Sequence, residues 1–338
     1  MQLLKQLYEI HSPSKREKRM RKFIRWWILN NIQGATVTTD PTGNLLVVKG
    51  TATEYPCIVA HIDQVQDIHS KDFRAIETKD YIVGFSLKNK RQEGLGADDK
   101  NGIWVALKCL QKYDAIKCAF FVGEEIGCIG SSAVDLSFFD DCRFVLQCDR
   151  RNGGDLITSI WGELCSKDFL ADIDFEKFGY KETHGAMTDV ATLKERGLAV
   201  CALNISCGYY EPHSDQEFTI KSELKNCLKF VCHIIEKCQN KYPHIDNSNG
   251  CFGMNWRSYD PHYQKEDEYW EMYEIISDYL TYQPGLPTDL FYDTYKDSYP
   301  HLTKDDFYSI VNEIQFASCD AEDMPVVVER KEVVSDGK

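Results

Sequence analysis

No stretch of the 338 residues approaches the ~18–20 consecutive apolar residues that a membrane-spanning helix requires. The opening segment, Met1 to Ile10, carries a charge every few positions and no apolar block, so no secretory signal peptide is expected and a cytoplasmic location is. No C-x-x-C pair occurs among the 14 cysteines. Most of them stand singly in apolar runs, as Cys57, Cys109, Cys118, Cys148, Cys201 and Cys232 do. That placement suits reduced thiols packed as small hydrophobes, rather than a disulfide framework or a thiolate zinc site. Positive charge is in deficit: 39 Lys and Arg stand against 53 Asp and Glu, a net charge of −14 that argues against a nucleic-acid-binding surface. Repeats and low-complexity tracts are also lacking, which excludes solenoids and wholly disordered chains.

What is present is ordinary globular material, 43% hydrophobic and 27% charged. Its distribution is uneven. Residues 241–338 hold 8 Lys and Arg against 20 Asp and Glu, and 11 of the 18 tyrosines lie there. The expected organisation is therefore a module over 1–240 and an acidic, Tyr-rich, mainly helical module over 241–338. In the second module, ~265–282 and ~303–316 have helical spacing, with Thr303 and Asp305-Asp306 as a helix start.

The first module alternates two patterns. A basic amphipathic segment over ~14–32 and apolar segments over ~100–113 and ~221–237 read as helices. Between them lie short continuous apolar runs at Leu45–Val48, Cys57–Ala60, Cys118–Val122, Phe144–Cys148 and Ala199–Leu203, as expected of strands buried on both faces. The fold class that follows is α/β, a mostly parallel central sheet with helices on both faces. Sites in such sheets form beyond the carboxyl ends of the strands. Those ends read Ala60-His61-Ile62-Asp63, Gly123-Glu124-Glu125-Ile126-Gly127 and Cys148-Asp149-Arg150. The first apolar helix is entered through Gly96-Ala97-Asp98-Asp99-Lys100, and the last strand is followed by Pro212-His213-Ser214-Asp215. Each acid has an ordinary reading alone; Asp98-Asp99 could simply cap a helix. Five such features at successive strand ends point instead to divalent cations, which imidazole and carboxylate ligands suit as Zn²⁺, Mn²⁺ or Co²⁺. Carboxylates at this density favour two metals over one.

Taken in order, His61-x-Asp63, Gly96-Ala97-Asp98-Asp99-Lys100-x-Gly102, Glu124-Glu125-x-Gly127, Asp149 and Pro212-His213-Ser214 resemble the pattern of the co-catalytic di-zinc exopeptidases, in particular peptidase T and the aminoacylase/carboxypeptidase G family. The resemblance covers roughly residues 1–240. It implies that Asp98 bridges two metals, that His61 and Asp149 complete one ligand set and that Glu125 and His213 complete the other. It further implies that Glu124 is the general base and acid and that Asp63 fixes the tautomer of His61. The implied activity is hydrolysis of an amide bond, most simply by an aminopeptidase acting on short peptides. An N-acyl amino acid substrate, or a non-catalytic metal-containing binding protein, are the alternatives. Peptidase T-like enzymes carry a lid or dimerisation domain between the strand-end acid and the last histidine. Here Asp149 and His213 are only 64 positions apart, so a lidless chain is expected. The loop Glu182–Asp189 could supply substrate contacts in its place: His184 toward substrate or oxyanion, and Asp189 toward a substrate ammonium or as a helix cap. Association with nucleic acid or membrane is not expected; a homo-oligomer is compatible with the sequence.

Overall fold

In the computed structural model of the chain the described residues are 1–66, 68–160, 162–245, 269, 272–273, 276, 280, 287–296 and 302–319. The chain separates into two compact units, Met1–Gly250 and Cys251–Lys338. The first begins with α1 (Gln2–Tyr8), α2 (Lys18–Asn31), β1 (Ala35–Thr39), β2 (Leu45–Lys49), β3 (Tyr55–His61), β4 (Phe73–Glu77), β5 (Tyr81–Ser86), β6 (Arg91–Gln92) and α3 (Ala97–Lys112). It continues with β7 (Ile116–Phe121), α4 (Ile129–Ala133), β8 (Cys142–Arg150), β9 (Asp155–Ser159), α5 (Lys167–Asp172), β10 (Lys181–His184), α6 (Asp189–Glu195), β11 (Ala202–Ser206), β12 (Tyr209–Tyr210), β13 (Phe218–Ile220) and α7 (Lys221–Lys237).

An eight-stranded sheet runs β1-β2-β7-β3-β8-β11-β9-β10, and its centre, β7-β3-β8-β11, is parallel throughout. Strand β3 is buried along its whole length, which explains why its apolar run lacks alternation. Its side chains divide between two cores. Ile58 and Ala60 belong to a cluster with Trp104 and Leu107 of α3, Phe230 of α7 and Ile24 of α2. Cys57 and Val59 belong to another with Val190 and Leu193 of α6. Helices thus cover both faces, and the mixed α/β architecture with a mostly parallel centre is as the sequence implies. Of the 12 cysteines whose side chains are described, all free, 11 are buried and Cys232 is half-buried. No helix among the described residues is long and apolar enough to cross a membrane.

Three local expectations are corrected. The strand placed at Ala199–Leu203 begins at Ala202, because the preceding residues pair elsewhere: Val200 bridges Pro243 and the Cys201 N–H donates to the Tyr242 carbonyl at 2.8 Å. The basic helix starts at Lys18 rather than near 14, since Pro13 bridges Gln64 and Ser14 is drawn to Asp63. A second sheet, β12-β13-β5-β4 with β6 paired to β5, has no counterpart in the sequence reading. Its strands are short, polar on one side and paired across up to ~140 positions, so periodicity alone does not reveal their pairing.

In the second unit the described elements are α8 (Thr288–Tyr295) and α9 (Lys304–Cys319). Thr303 opens α9, its N–H and Oγ1 donating to Asp306 Oδ2 at 2.7 and 2.6 Å. Met272, Ile276, Leu280, Phe291, Phe307 and Ile310 share one apolar cluster. The helix expected over ~265–282 lies largely outside the described residues, as does the charged C-terminal end.

Candidate metal centre

Parallel register brings the strand ends to one level. His61 pairs with Phe121, so β3 ends beside the turn that carries Glu124 and Glu125. Val59 pairs with Gln147, which sets Asp149 beside His61. Gly123 leaves β7 with φ +62°, a conformation that side chains other than glycine's resist, and it turns the two glutamates over the sheet edge. Asp98 enters from the other side, at the start of α3. Gly96 before it has φ +62° and donates its N–H to Glu217 at 2.6 Å. Asp98 and Asp99 depart from helical dihedrals, and the peptide between them is cis. His213 comes from the second sheet, in the β12–β13 connection, with φ +62°.

Two groups of side chains could hold metal ions, with ligand atoms within 4.8 Å of one another: His61, Asp98 and Asp149, and Asp98, Glu125 and His213. Asp98 faces both. Its Oδ1 lies 3.0 Å from His61 Nε2 and its Oδ2 lies 3.4 Å from His213 Nε2. His61 Nε2 is 3.6 Å from Asp149 Oδ1, and His213 Nε2 is 3.2 Å from Glu125 Oε2. Glu124 belongs to neither group, yet its Oε2 is 4.0 Å from His61 Nε2.

The electrostatics call for cations. Desolvation alone would depress His61, but Asp149, Asp63 and Asp98 around it raise its pKa well above the ordinary histidine value. Hydrogen bonds to Asp98 and Glu125 carry His213 up to about 10. Burial, then the charges of Asp149, Asp189 and Glu125, push Glu124 well above the carboxylate range. The residues as a set are short of positive charge, and Glu125 Oε1 is buried with no hydrogen-bond partner. An oxygen orphaned in this way, on a carboxylate whose other oxygen meets His213, is what a divalent cation would satisfy. The donor set therefore fits metal.

Supporting contacts fix the ligands. Asp63 Oδ1 lies 3.3 Å from His61 Nδ1. The Asp63 carboxylate also accepts from Ser14 Oγ at 2.8 Å and from the N–H groups of Glu124 and Glu125 at 3.0 and 3.2 Å. It thereby ties the strand end of β3 to the glutamate turn. Asp149 Oδ2 accepts from Gln147 Nε2 and Thr188 Oγ1, both at 3.0 Å, while the Asp149 backbone is held by the Asn204 amide. Tyr209 Oη donates to Asp98 Oδ2 at 3.0 Å. Glu217 accepts the N–H groups of Gly96 and Asp98, and burial followed by the charge of Asp98 raises its pKa to about 7. Ser14, Gln147, Thr188, Asn204, Tyr209 and Glu217 were not foreseen as site residues. Tyr209 and Glu217 do flank the His213 motif, which is the signal that could have marked them.

Of the two loop residues expected at the substrate, Asp189 lies close enough to the cluster for its charge to act on Glu124, whereas His184 stands apart from it. Asp189 is the first residue of α6 and fully buried; one of its oxygens has no partner, and burial lifts its pKa to about 7. His184 is exposed at the end of β10, where its Nδ1 meets Ser159 Oγ at 3.1 Å. Neither lines the cavity that opens over the metal ligands. That cavity has a volume of about 490 Å³, and its walls come from Arg150, Arg151, Ile157, Gly185–Thr188, Asn204, Tyr209 and Pro212.

No protein-family model matches the chain, and no curated protein matches its sequence. Its fold is nevertheless similar to solved peptidase structures. The aminopeptidase PepT of Bacillus cereus aligns over 70% of this chain and 97% of its own, with a TM-score of 0.56 and 16% identity. A tripeptidase of Staphylococcus aureus aligns over 69% and 96%, with a TM-score of 0.55 and 15% identity. The TET1 peptidase of Pyrococcus horikoshii, which assembles into a tetrahedron or a large octahedral shell, aligns over 69% and 98%, with a TM-score of 0.50 and 16% identity. At these identities the likeness is one of fold.

Proposed function

We propose that the chain is a metal-dependent amide hydrolase, an aminopeptidase on short peptides, with two divalent cations, zinc in the first instance. His61, Asp98 and Asp149 would hold one ion, and Asp98, Glu125 and His213 the other. The observation that carries this reading is Glu124: a half-buried carboxylate with Oε2 4.0 Å from His61 Nε2 that belongs to neither ligand group, which a purely structural site does not need. When bound, such ions supply Lewis acidity toward a water and toward the scissile carbonyl. Glu124 takes one proton from that water as its oxygen bonds the carbonyl carbon, then delivers the proton to the amide nitrogen as the C–N bond breaks. Asp63 orients His61, and Thr188 and Gln147 hold Asp149 so that its other oxygen faces His61.

Support also comes from the similarity in fold to an aminopeptidase and a tripeptidase. The chain between Asp149 and His213 forms β9, β10 and β11 of the central sheet, the helices between them and the two-residue β12 of the smaller sheet, which supports the lidless reading. The test is hydrolysis of leucyl-, alanyl- and glutamyl-peptides and of N-acetyl amino acids by zinc-loaded wild type and Glu124→Gln. Release of a free N-terminal residue by wild type alone is expected. Release of acetate alone would replace the peptidase with a deacylase, and equal inertness of both proteins on all substrates would overturn the hydrolase.

A further inference from the structure

The cavity over the metal ligands is acidic on its floor: Asp98, Glu124, Glu125 and Asp149 all line it. Two arginines line its wall, and they are not equivalent. Arg150 is engaged, its Nε 3.3 Å from Asp155 Oδ2. Arg151 is exposed and has no ion pair or side-chain hydrogen bond among the described residues. Nearby acids are already committed. Asp149 Oδ2 accepts from Gln147 and Thr188, and its Oδ1 faces His61 and Tyr209.

The Arg151 backbone, by contrast, is pinned. Its carbonyl accepts from Ser206 Oγ at 2.7 Å, the Arg150 carbonyl accepts from the Cys207 N–H at 2.9 Å, and Asn152 exchanges backbone hydrogen bonds with Gly208 and Tyr209 at 2.8 and 2.9 Å. The segment is anchored to the same stretch, Ser206–Tyr209, that supplies the hydroxyl on Asp98. A fixed backbone at the cavity wall confines the reach of an unpaired guanidinium to that cavity, where it is available to an anionic ligand. Guanidinium and carboxylate match as a two-point, charge-assisted pair.

We infer that Arg151 determines specificity by binding a carboxylate of the substrate, and this rests on the peptidase reading above. Its Cα is at most ~7 Å from that of the ligand Asp149, since each residue spans no more than ~3.6 Å. The C-terminal carboxylate of a peptide of two or three residues ends about that far beyond its first amide bond. An acidic side chain on the residue removed is the other source of the same group. Longer or amidated chains would lack the terminal partner, so Arg151 selects short free peptides without a lid to measure their length.

The experiment compares trialanine with trialanine amide, and glutamyl-alanine amide with leucyl-alanine amide, on zinc-loaded wild type, Arg151→Gln and Arg151→Lys. For Arg151→Gln the preference for trialanine over its amide, taken as the ratio of kcat/KM, is expected to fall roughly tenfold through KM, with partial rescue in Arg151→Lys. A fall confined to the glutamyl pair would assign the carboxylate to the side chain of the first residue instead. Equal losses on all four substrates, or none, would overturn the inference while leaving the peptidase intact. If wild type cleaves nothing, the peptidase reading fails by itself. Calorimetric binding of trialanine and its amide to the same three proteins then decides, and lack of an Arg151-dependent preference overturns the carboxylate site.

Discussion

The two ligand groups share Asp98 but are held very differently. His61 is fully buried, sits at the end of a strand buried along its whole length and is oriented by Asp63, which is itself held by Ser14 and two backbone N–H groups. Its partner Asp149 is held by Gln147, Thr188 and Asn204. On the other side, the His213 side chain is 51% exposed and lies in a connection of the smaller sheet, and Glu125 leaves an oxygen unpartnered. One half of the centre is built into the core and the other is brought up to it. Outer contacts of this kind tune metal affinity by roughly 10–100-fold, so the two halves should bind unequally.

Glu124→Gln is expected to abolish most hydrolysis, by roughly 10²–10⁴-fold, while zinc content measured by elemental analysis stays at the wild-type level. A variant that loses both together would show that Glu124 is a ligand and blur the division between the halves. Asp98→Ala should next remove both metal equivalents, whereas His213→Ala should remove one. In a chelator titration of wild type, the metal held with His213 should leave first; release of both in a single step would refute unequal halves.

Metal-free protein offers a sharper test through pH. The pKa of His213 is raised to about 10 and that of Asp189 to about 7, and Glu124 is raised as well. Each group binds its proton more tightly in the folded state than in the unfolded one, so the folded state carries more protons and stability falls as pH rises. For His213 the contribution is complete below pH ~6.5 and is lost on the way to about 10. For Asp189 the loss runs from ~4 to about 7. Lys100, lowered by burial to about 7, and His69, lowered by burial to about 3, act in the opposite sense. His61 and Glu217 are raised as well, however, and the raised groups outnumber the lowered ones. The midpoint of thermal unfolding of the metal-free protein should therefore decline from pH 5 to 9, and zinc should flatten the curve. A metal-free midpoint that rises over that range would contradict the charge balance described here. The smallest expected effect belongs to Ser14→Ala, which removes one contact two steps from the metal. It should weaken zinc binding by no more than ~10-fold, and only in the tighter of two phases.

Much of the centre was legible because the pattern is local. A continuous apolar run that ends in His61, Glu124-Glu125 or Asp149 announces a buried parallel strand and its functional end in a few residues. The structure gathers His61, Asp63, Asp98, Glu124, Glu125, Asp149 and His213 within one cluster. Loop positions were less readable. Asp189 and His184 share a polar segment that reads as a substrate loop, yet helix α6 buries the first beneath the cavity and β10 leaves the second at the surface. Arg151 carried no signal at all, since an arginine after a strand is ordinary until its neighbours are known.

The sequence by itself determined the alternation of strand and helix, the ends at which chemistry collects and the residue types able to hold divalent cations, because these follow from short-range pattern and side-chain chemistry. Only the tertiary structure decided that a second sheet delivers His213, that Asp98 turns one oxygen to each histidine, and that of two adjacent arginines one is paired and the other free. Those outcomes depend on contacts between residues tens to more than a hundred positions apart, where packing and hydrogen bonding choose among partners that local sequence leaves equivalent.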